Sequence, residues 1–162
     1  VRALTERQVT FETFYRSERP SVLRAVVYAL DDKDLAVECV DEALTRAYER
    51  WDSVSRMDNP TGWVFRVAVN FGHNRRRRGR LESVNAPPAP PTVPDIEGVS
   101  DPALARALAR LSVEHRTVVV LRFHLDWSIE QVAGALGISH GTVKSRLHRG
   151  LRRLESLLEE SA

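Results

Sequence analysis

One cysteine, Cys39, stands among 162 residues. An intrachain disulfide and a cysteine-rich zinc site are both excluded. Cys39 falls on an apolar helical stripe and reads as a core residue. Lysine is almost as scarce, with Lys33 and Lys144 the two lysines among 24 basic residues. Nearly every cation is therefore a guanidinium, the group suited to bidentate phosphate and guanine contacts. No apolar run approaches the ~18–20 residues of a membrane-spanning helix, so no membrane partner is expected. The first residues do not form a signal segment, and the expected location is cytoplasmic. No glycine-rich phosphate loop is present. The five histidines, His73, His115, His124, His140 and His148, nowhere take an HExxH spacing. No nucleophile stands with a base. The expected class is not an enzyme, and no cofactor or metal is expected.

What the chain has is segregated charge. Net charge is only +2, so any nucleic-acid footprint must be local. It is local: Arg75, Arg76, Arg77, Arg78 and Arg80 crowd one stretch, and Lys144 to Arg153 carries five more cations. Against these, Asp31 to Arg50 carries seven acids and three bases. Opposite surfaces of this kind point to two kinds of partner. Prolines are also concentrated, with Pro87, Pro88, Pro90, Pro91 and Pro94 between Ser83 and Ser100. Such a stretch is neither a helix nor a central strand. It reads as a semi-rigid linker that reaches about 50 Å at ~3.1 Å per residue. The expected architecture is all-α, with two small helical domains at 1–82 and 101–162 joined by a linker at 83–100. The linker is expected to leave the halves mobile relative to each other.

The most informative stretch runs from Ser128 to Arg153. Ser128 with Gln131 forms a capping box, and Val132, Ala133 and Leu136 follow at helical spacing. Gly137 supplies a left-handed turn. Ser139 caps a second helix whose inner face is Val143, Leu147, Leu151 and Leu154. Its outer face carries His140, Thr142, Lys144, Ser145, Arg146, His148, Arg149, Arg152 and Arg153. Caps, turn glycine and basic second helix together read as a helix-turn-helix whose second helix enters the major groove. Upstream, Asp101-Pro102 opens a helix and Ser112 caps another, with Val118, Leu121 and Phe123 expected in the core and Trp127 closing it.

The N-terminal half opens with a helical pattern through Phe11, Phe14 and Tyr15 that Pro20 interrupts or kinks. An amphipathic helix from about Leu35 to Trp51 follows, its stripe made by Ala36, Cys39, Val40, Ala43, Leu44 and Ala47. Glu38, Asp41, Glu42, Thr45, Arg46 and Glu49 face outward. This face is either simply solvated or a dock for a basic partner. After a loop at 53–61 with Asn59-Pro60 as its turn signal, Gly62 to Asn74 reads as a helix running into the arginine block. Its Trp63, Phe65 and Phe71 serve a core, or hold single-stranded bases beside the arginines.

These segments resemble the extracytoplasmic-function (ECF) sigma factors, the small two-domain promoter-specificity subunits of bacterial RNA polymerase within the sigma-70 family. LGISHGTVKSRLHRGLRRL and LARLSVEHRTVVVLRFHLDWSIEQVA resemble the family's fourth conserved region. FETFYRSERPSVLRAVVYAL, ECVDEALTRAYERW and NPTGWVFRVAVNFGHNRRRR resemble parts of the second. The resemblance implies partners: core RNA polymerase through its largest-subunit clamp helices and its flap, promoter DNA, and an anti-sigma protein. It implies that Glu38, Asp41, Glu42, Thr45, Arg46 and Glu49 dock on polymerase. It implies that Asp58, Asn59 and Thr61 capture a flipped minus-10 base, while Trp63, Arg66, Asn70, His73, Asn74 and Arg75 to Arg78 line the melted strand. The outer face of the second helix, His140 to Arg153, becomes the minus-35 reader. The chain departs from the family pattern at Leu35 and Val37, where an acid is usual, and at Cys39, Asn74 and Ser112. A stand-alone helix-turn-helix regulator, and a sigma-like interaction protein that does not initiate, are the alternative readings.

Overall fold

The structure, a computed structural model, describes the backbone of residues 2–82 and 101–162 and the side chains of 10–81 and 101–162. The predicted linker, 83–100, lies outside the described residues. Every regular element among the described residues is helical: α1 (Arg2–Leu30), α2 (Lys33–Glu49), α3 (Trp51–Val54), α4 (Pro60–Glu82), α5 (Pro102–Ala109), α6 (Val113–Val119), α7 (Ile129–Leu136) and α8 (His140–Ser161). A single π turn, Val120–His124, extends α6.

Local chemistry sets most of the boundaries. Asp32 caps α2 by accepting from the Leu35 amide at 3.0 Å, and Asp34 adds negative charge to the positive end of that helix. The six-residue stripe read from the sequence is the buried face of α2. Asn59 accepts from the Gly62 amide at 2.9 Å, and Pro60 begins α4, where its missing N–H has no consequence. Asp101 with Pro102 repeats this arrangement at α5, and Ser112 caps α6.

Three local expectations are corrected. Pro20 does not interrupt α1, which runs through it. Pro20 is exposed, so the carbonyl it leaves without an amide partner faces water. Helix α4 continues eight residues past Asn74 and takes the arginine block into regular helix. Phe123 is not core but 58% exposed, and Leu151 is 39% exposed. The π turn adds a residue to its own turn and so swings Phe123 out of the register that a continued α-helix would give it.

The two halves are in contact in this structure. They are packed together: α6 lies on α1 and α7 on α4, and one contiguous apolar core runs through both. Phe65 of α4 meets Trp127 edge-on, with ring centroids 6.0 Å apart and planes at 84°. Trp127 closes the helix-turn-helix core, as read, but does so against the other half. The polar tie is Arg116 of α6, which is 1% exposed. Its Nε donates to the Tyr28 carbonyl at 3.0 Å and one Nη to the Ala109 carbonyl at 3.3 Å. A buried guanidinium demands such partners, and it finds one of them across the interface.

Close approach of α4 to α1 and α2 depends on Gly72. A Cβ there would lie 2.6 Å from Leu30 Cδ1 and 3.2 Å from Cys39 Sγ, both fully buried. Alanine is the better helix former by ~1 kcal/mol, but overpacking a closed core costs about 1–3 kcal/mol. Gly72→Ala is therefore expected to lower stability. A urea midpoint equal to or above that of the parent would refute this packing account.

Candidate nucleic-acid interface

The helix-turn-helix is built as its sequence dictates. Ser128 Oγ accepts from the Gln131 amide at 3.1 Å, and Gln131 Oε1 accepts from the Ser128 amide at 2.9 Å. Gly137 sits at φ +65°, and Ser139 Oγ accepts from the Thr142 amide at 3.1 Å. Val143, Leu147, Gly150 and Leu157 form the buried side of α8. The opposite side presents Lys144, Ser145, His148, Arg149 and Arg152 at helical spacing, all exposed, with His140 at its start and Arg153 beside it. Three of the predicted readers have protein partners, Arg153 through Glu160 at 3.9 Å. The Thr142 hydroxyl lies 2.8 Å from Ser139 Oγ, within the cap. Arg146 is half-buried and pairs with Glu114 at 3.2 Å.

The second candidate site is the N-terminal end and outer face of α4. At 3.6 residues per turn, a helical run of arginines must point around the axis rather than one way. Arg75 reaches Glu38 on α2 at 3.1 Å. Arg76 turns inward and donates to the Leu30 carbonyl at the end of α1. Arg77 and Arg78 remain outward and exposed. Arg66, Asn70, His73 and Asn74 are exposed along the helix, and Trp63 is half-buried. Partial burial and Arg76 together hold the His73 imidazole below its ordinary pKa. In the preceding loop Asp58 is exposed, the Asn59 oxygen serves the α4 cap, and the Thr61 hydroxyl lies 3.0 Å from Glu18 Oε2.

Asp58, Asn59, Trp63 and Arg66 line one wall of a cleft of about 640 Å³. Ser128, Glu130, Gln131, Gly134 and Ala135 of the C-terminal half line the other. A Cβ on Gly137 would lie 3.3 Å from an Arg66 nitrogen, so that guanidinium abuts the turn of the helix-turn-helix.

The acidic face of α2 is largely exposed and is partly balanced by cations of α1, α2 and α4. Asp41 pairs with Arg19 at 3.0 Å, Glu42 with Arg46 at 2.8 Å, and the Thr45 hydroxyl donates to the Asp41 carbonyl at 2.8 Å. Arg46 also lies over the Phe71 ring at 5.5 Å. Glu49 is exposed at the end of the same helix. Beside this face is a groove of about 390 Å³ that includes Phe11, Tyr15, Leu44 and Tyr48, with Tyr15 and Tyr48 over a third exposed. The sequence places Phe11 and Tyr15 in a helical pattern and does not by itself reveal the groove. An aromatic at each end of an otherwise acidic surface was the available signal. Phe123 and Leu151 line a second apolar groove of about 250 Å³ with Leu104, Leu108 and Leu154, which the sequence reading also missed. Cys39 is fully buried, and burial with Glu38 nearby pushes its thiol up to about 11, so it remains a protonated core group. Among the described residues, no group of three acid, histidine or cysteine side chains is arranged to hold a metal ion. No helix among them is long and apolar enough to cross a membrane.

The family model for sigma-70 region 4 matches residues 102–154. The ECF RNA polymerase sigma factor SigL of Mycobacterium tuberculosis is 36% identical over 137 residues, covering 80% of this chain and 77% of that one. The RNA polymerase sigma-E factor of Streptomyces avermitilis is 36% identical over 152 residues, covering 92% and 85%. The solved structure of the sigma factor RpoE in complex with the anti-sigma factor NepR, from Bartonella quintana, is similar with a TM-score of 0.78 at 27% identity. That match covers 93% of this chain and 97% of RpoE, so both halves superpose in one arrangement. CnrH, solved with the cytosolic domain of CnrY, shares the fold at a TM-score of 0.66 and 21% identity. Relatives that align through both halves, a matching region 4 and the built helix-turn-helix converge on one conclusion: the chain belongs to the ECF sigma factors of bacterial RNA polymerase.

Proposed function

We propose that the chain carries core RNA polymerase to its promoters through two DNA readers of different kinds. The observation that carries this is the exposed basic face of α8, held by a capped, glycine-turned helix pair. Lys144, Ser145, His148 and Arg149 read the minus-35 duplex, and Arg152, Arg153 and His140 meet phosphates. Asp58, Asn59 and Thr61 with Trp63, Arg66, Asn70, His73 and Asn74 hold the melted minus-10 strand, with Arg77 and Arg78 on its backbone. Thr142, Arg146, Arg75 and Arg76 are supports in this reading: Thr142 is tied into the α8 cap, Arg146 and Arg75 bridge to other helices, and Arg76 is turned inward.

The acidic face of α2 and the aromatic groove beside it dock on the clamp helices of the largest subunit. The groove of Leu104, Phe123, Leu151 and Leu154 offers the C-terminal half an apolar contact for the flap. An anti-sigma protein acts on this chain as NepR does on RpoE, by forming a complex with it. The protein works in the cytoplasm and does no chemistry of its own. DNA opening draws on binding and base capture. The departures at Leu35, Val37 and Asn74 alter details of these faces and not their placement.

Run-off transcription with purified core polymerase on candidate promoters tests the reading. Start-site-specific transcripts are expected. Duplex binding without polymerase association points instead to a stand-alone regulator, and polymerase association without transcripts to a non-initiating partner.

Arg149→Ala is expected to cost about 1–3 kcal/mol of preference for the cognate minus-35 site. Equal preference for cognate and scrambled duplexes in the variant and the parent would remove Arg149 from the reader. Asp41→Arg reverses charge on the polymerase face and repels Arg19. Polymerase affinity should fall at least several-fold, and more steeply at low salt. An unchanged affinity at both salt concentrations counts against that face.

A further inference from the structure

We propose that Glu114 of α6, which lies outside the reading face of α8, sets how much sequence-blind grip the minus-35 reader has, by holding Arg146 off the phosphates. The proposal rests on the two-reader function above and names a residue that tunes one of its sites.

Arg146 stands at a boundary on its helix. At about 100° per residue, it lies about 60° around the axis from Arg149, on the reading face, and about 40° from Gly150, on the buried face. Its side chain is 25% exposed, whereas Lys144, Arg149 and Arg152 are fully on the outside. A long guanidinium side chain at such a position reaches either way. Glu114 makes the choice: an Arg146 Nη donates to Glu114 Oε1 at 3.2 Å. Both ends of this bond are firmly placed. Ser112 Oγ accepts from the His115 amide at 3.3 Å and fixes the first turn of α6, where Glu114 sits. One turn beyond Arg146, Gly150 lets α8 lie directly on α6. A Cβ there would be 3.1 Å from Val119 Cγ2 and 3.3 Å from His115 Cβ. The pair is thus carried by two helices in close contact, and partial burial of Arg146 strengthens it over a fully exposed pair.

Arg153 is held less firmly. It lies 3.9 Å from Glu160, and Glu160 is shared with Arg110 at 3.4 Å. The distinction matters because phosphate contacts carry no sequence information. Each one strengthens cognate and random duplex alike, and random sites vastly outnumber promoters. A cation committed to Glu114 helps to place α8 and adds nothing to that background. Glu114 therefore keeps the binding energy of α8 weighted toward Lys144, Ser145, His148 and Arg149, the groups assigned to base edges.

The test is a salt titration of the holoenzyme, the full chain assembled on core polymerase, against promoter duplexes with a cognate or a scrambled minus-35 element. Glu114→Gln keeps the size of the side chain and removes its charge. Arg146 is then released to a phosphate, and the slope of log affinity against log salt should steepen by about 0.9, the increment of one added contact. The gain in affinity over the parent should be about 3.5-fold larger at 50 mM than at 200 mM salt, for cognate and scrambled duplexes alike. The added slope should vanish in E114Q/R146Q. An unchanged slope in Glu114→Gln overturns the proposal. So does a steeper slope that persists in the double variant, since it then comes from lost repulsion between Glu114 and DNA. A parent holoenzyme that binds cognate and scrambled duplexes equally, with slopes that change as expected, leaves the hold on Arg146 standing and removes the minus-35 reading.

Discussion

The carboxyl end of α1 is the joint on which the other helices are hung. A helix end leaves carbonyls without amide partners and carries partial negative charge. Here two guanidiniums from distant helices supply the missing donors. Arg76 of α4 takes the Leu30 carbonyl, and Arg116 of α6 takes the Tyr28 carbonyl. Asp31 then reverses the chain at φ +55°, and Asp32 starts α2. One short stretch, Tyr28 to Asp32, thereby fixes α1 against α2, α4 and α6. Tyr28 is itself buried, and burial pushes its hydroxyl up to about 12, so no charge from it competes at the joint.

What was legible in the sequence was whatever a residue does to its own neighbours. Ser112, Ser128 and Ser139 cap because their side chains reach amides three residues away. The stripes of α2 and α8 follow from a fixed rise and turn. What was illegible depends on partners distant in the chain. Nothing near Arg76 says that it, and not Arg77, will meet a carbonyl 46 residues earlier. Arg116 gave a faint signal: a cation heading the apolar run Val118 to Leu121, all of which is buried. Such a cation needs buried acceptors, and the sequence does not show that one belongs to the other half. Phe123 was misplaced for a related reason. An α-helical register puts it inward, and a single π turn moves it out.

Helix α4 carries three duties on one cylinder. Its buried side, with Val64, Phe65, Ala68 and Gly72, packs the N-terminal half. Its exposed side carries the candidate strand-binding residues. Its arginine block divides between those two sides because the helix turns by about 100° per residue. Counting arginines therefore overstates the basic surface. Arg75 is paired and Arg76 is committed inward, so the electrostatic footprint is set by Arg66, Arg77, Arg78 and Arg80.

The same economy separates binding from spacing. A helix-turn-helix that reads duplex DNA needs little more than its caps, its glycine and its basic face, and all three lie within Ser128 to Arg153. Spacing against a second element needs something else. The packing of α6 on α1 and of α7 on α4 holds the basic face of α8 and the outer face of α4 at a single separation, and no local signal within Ser128 to Arg153 encodes it. Local chemistry builds each candidate face, and long-range packing sets the distance between them.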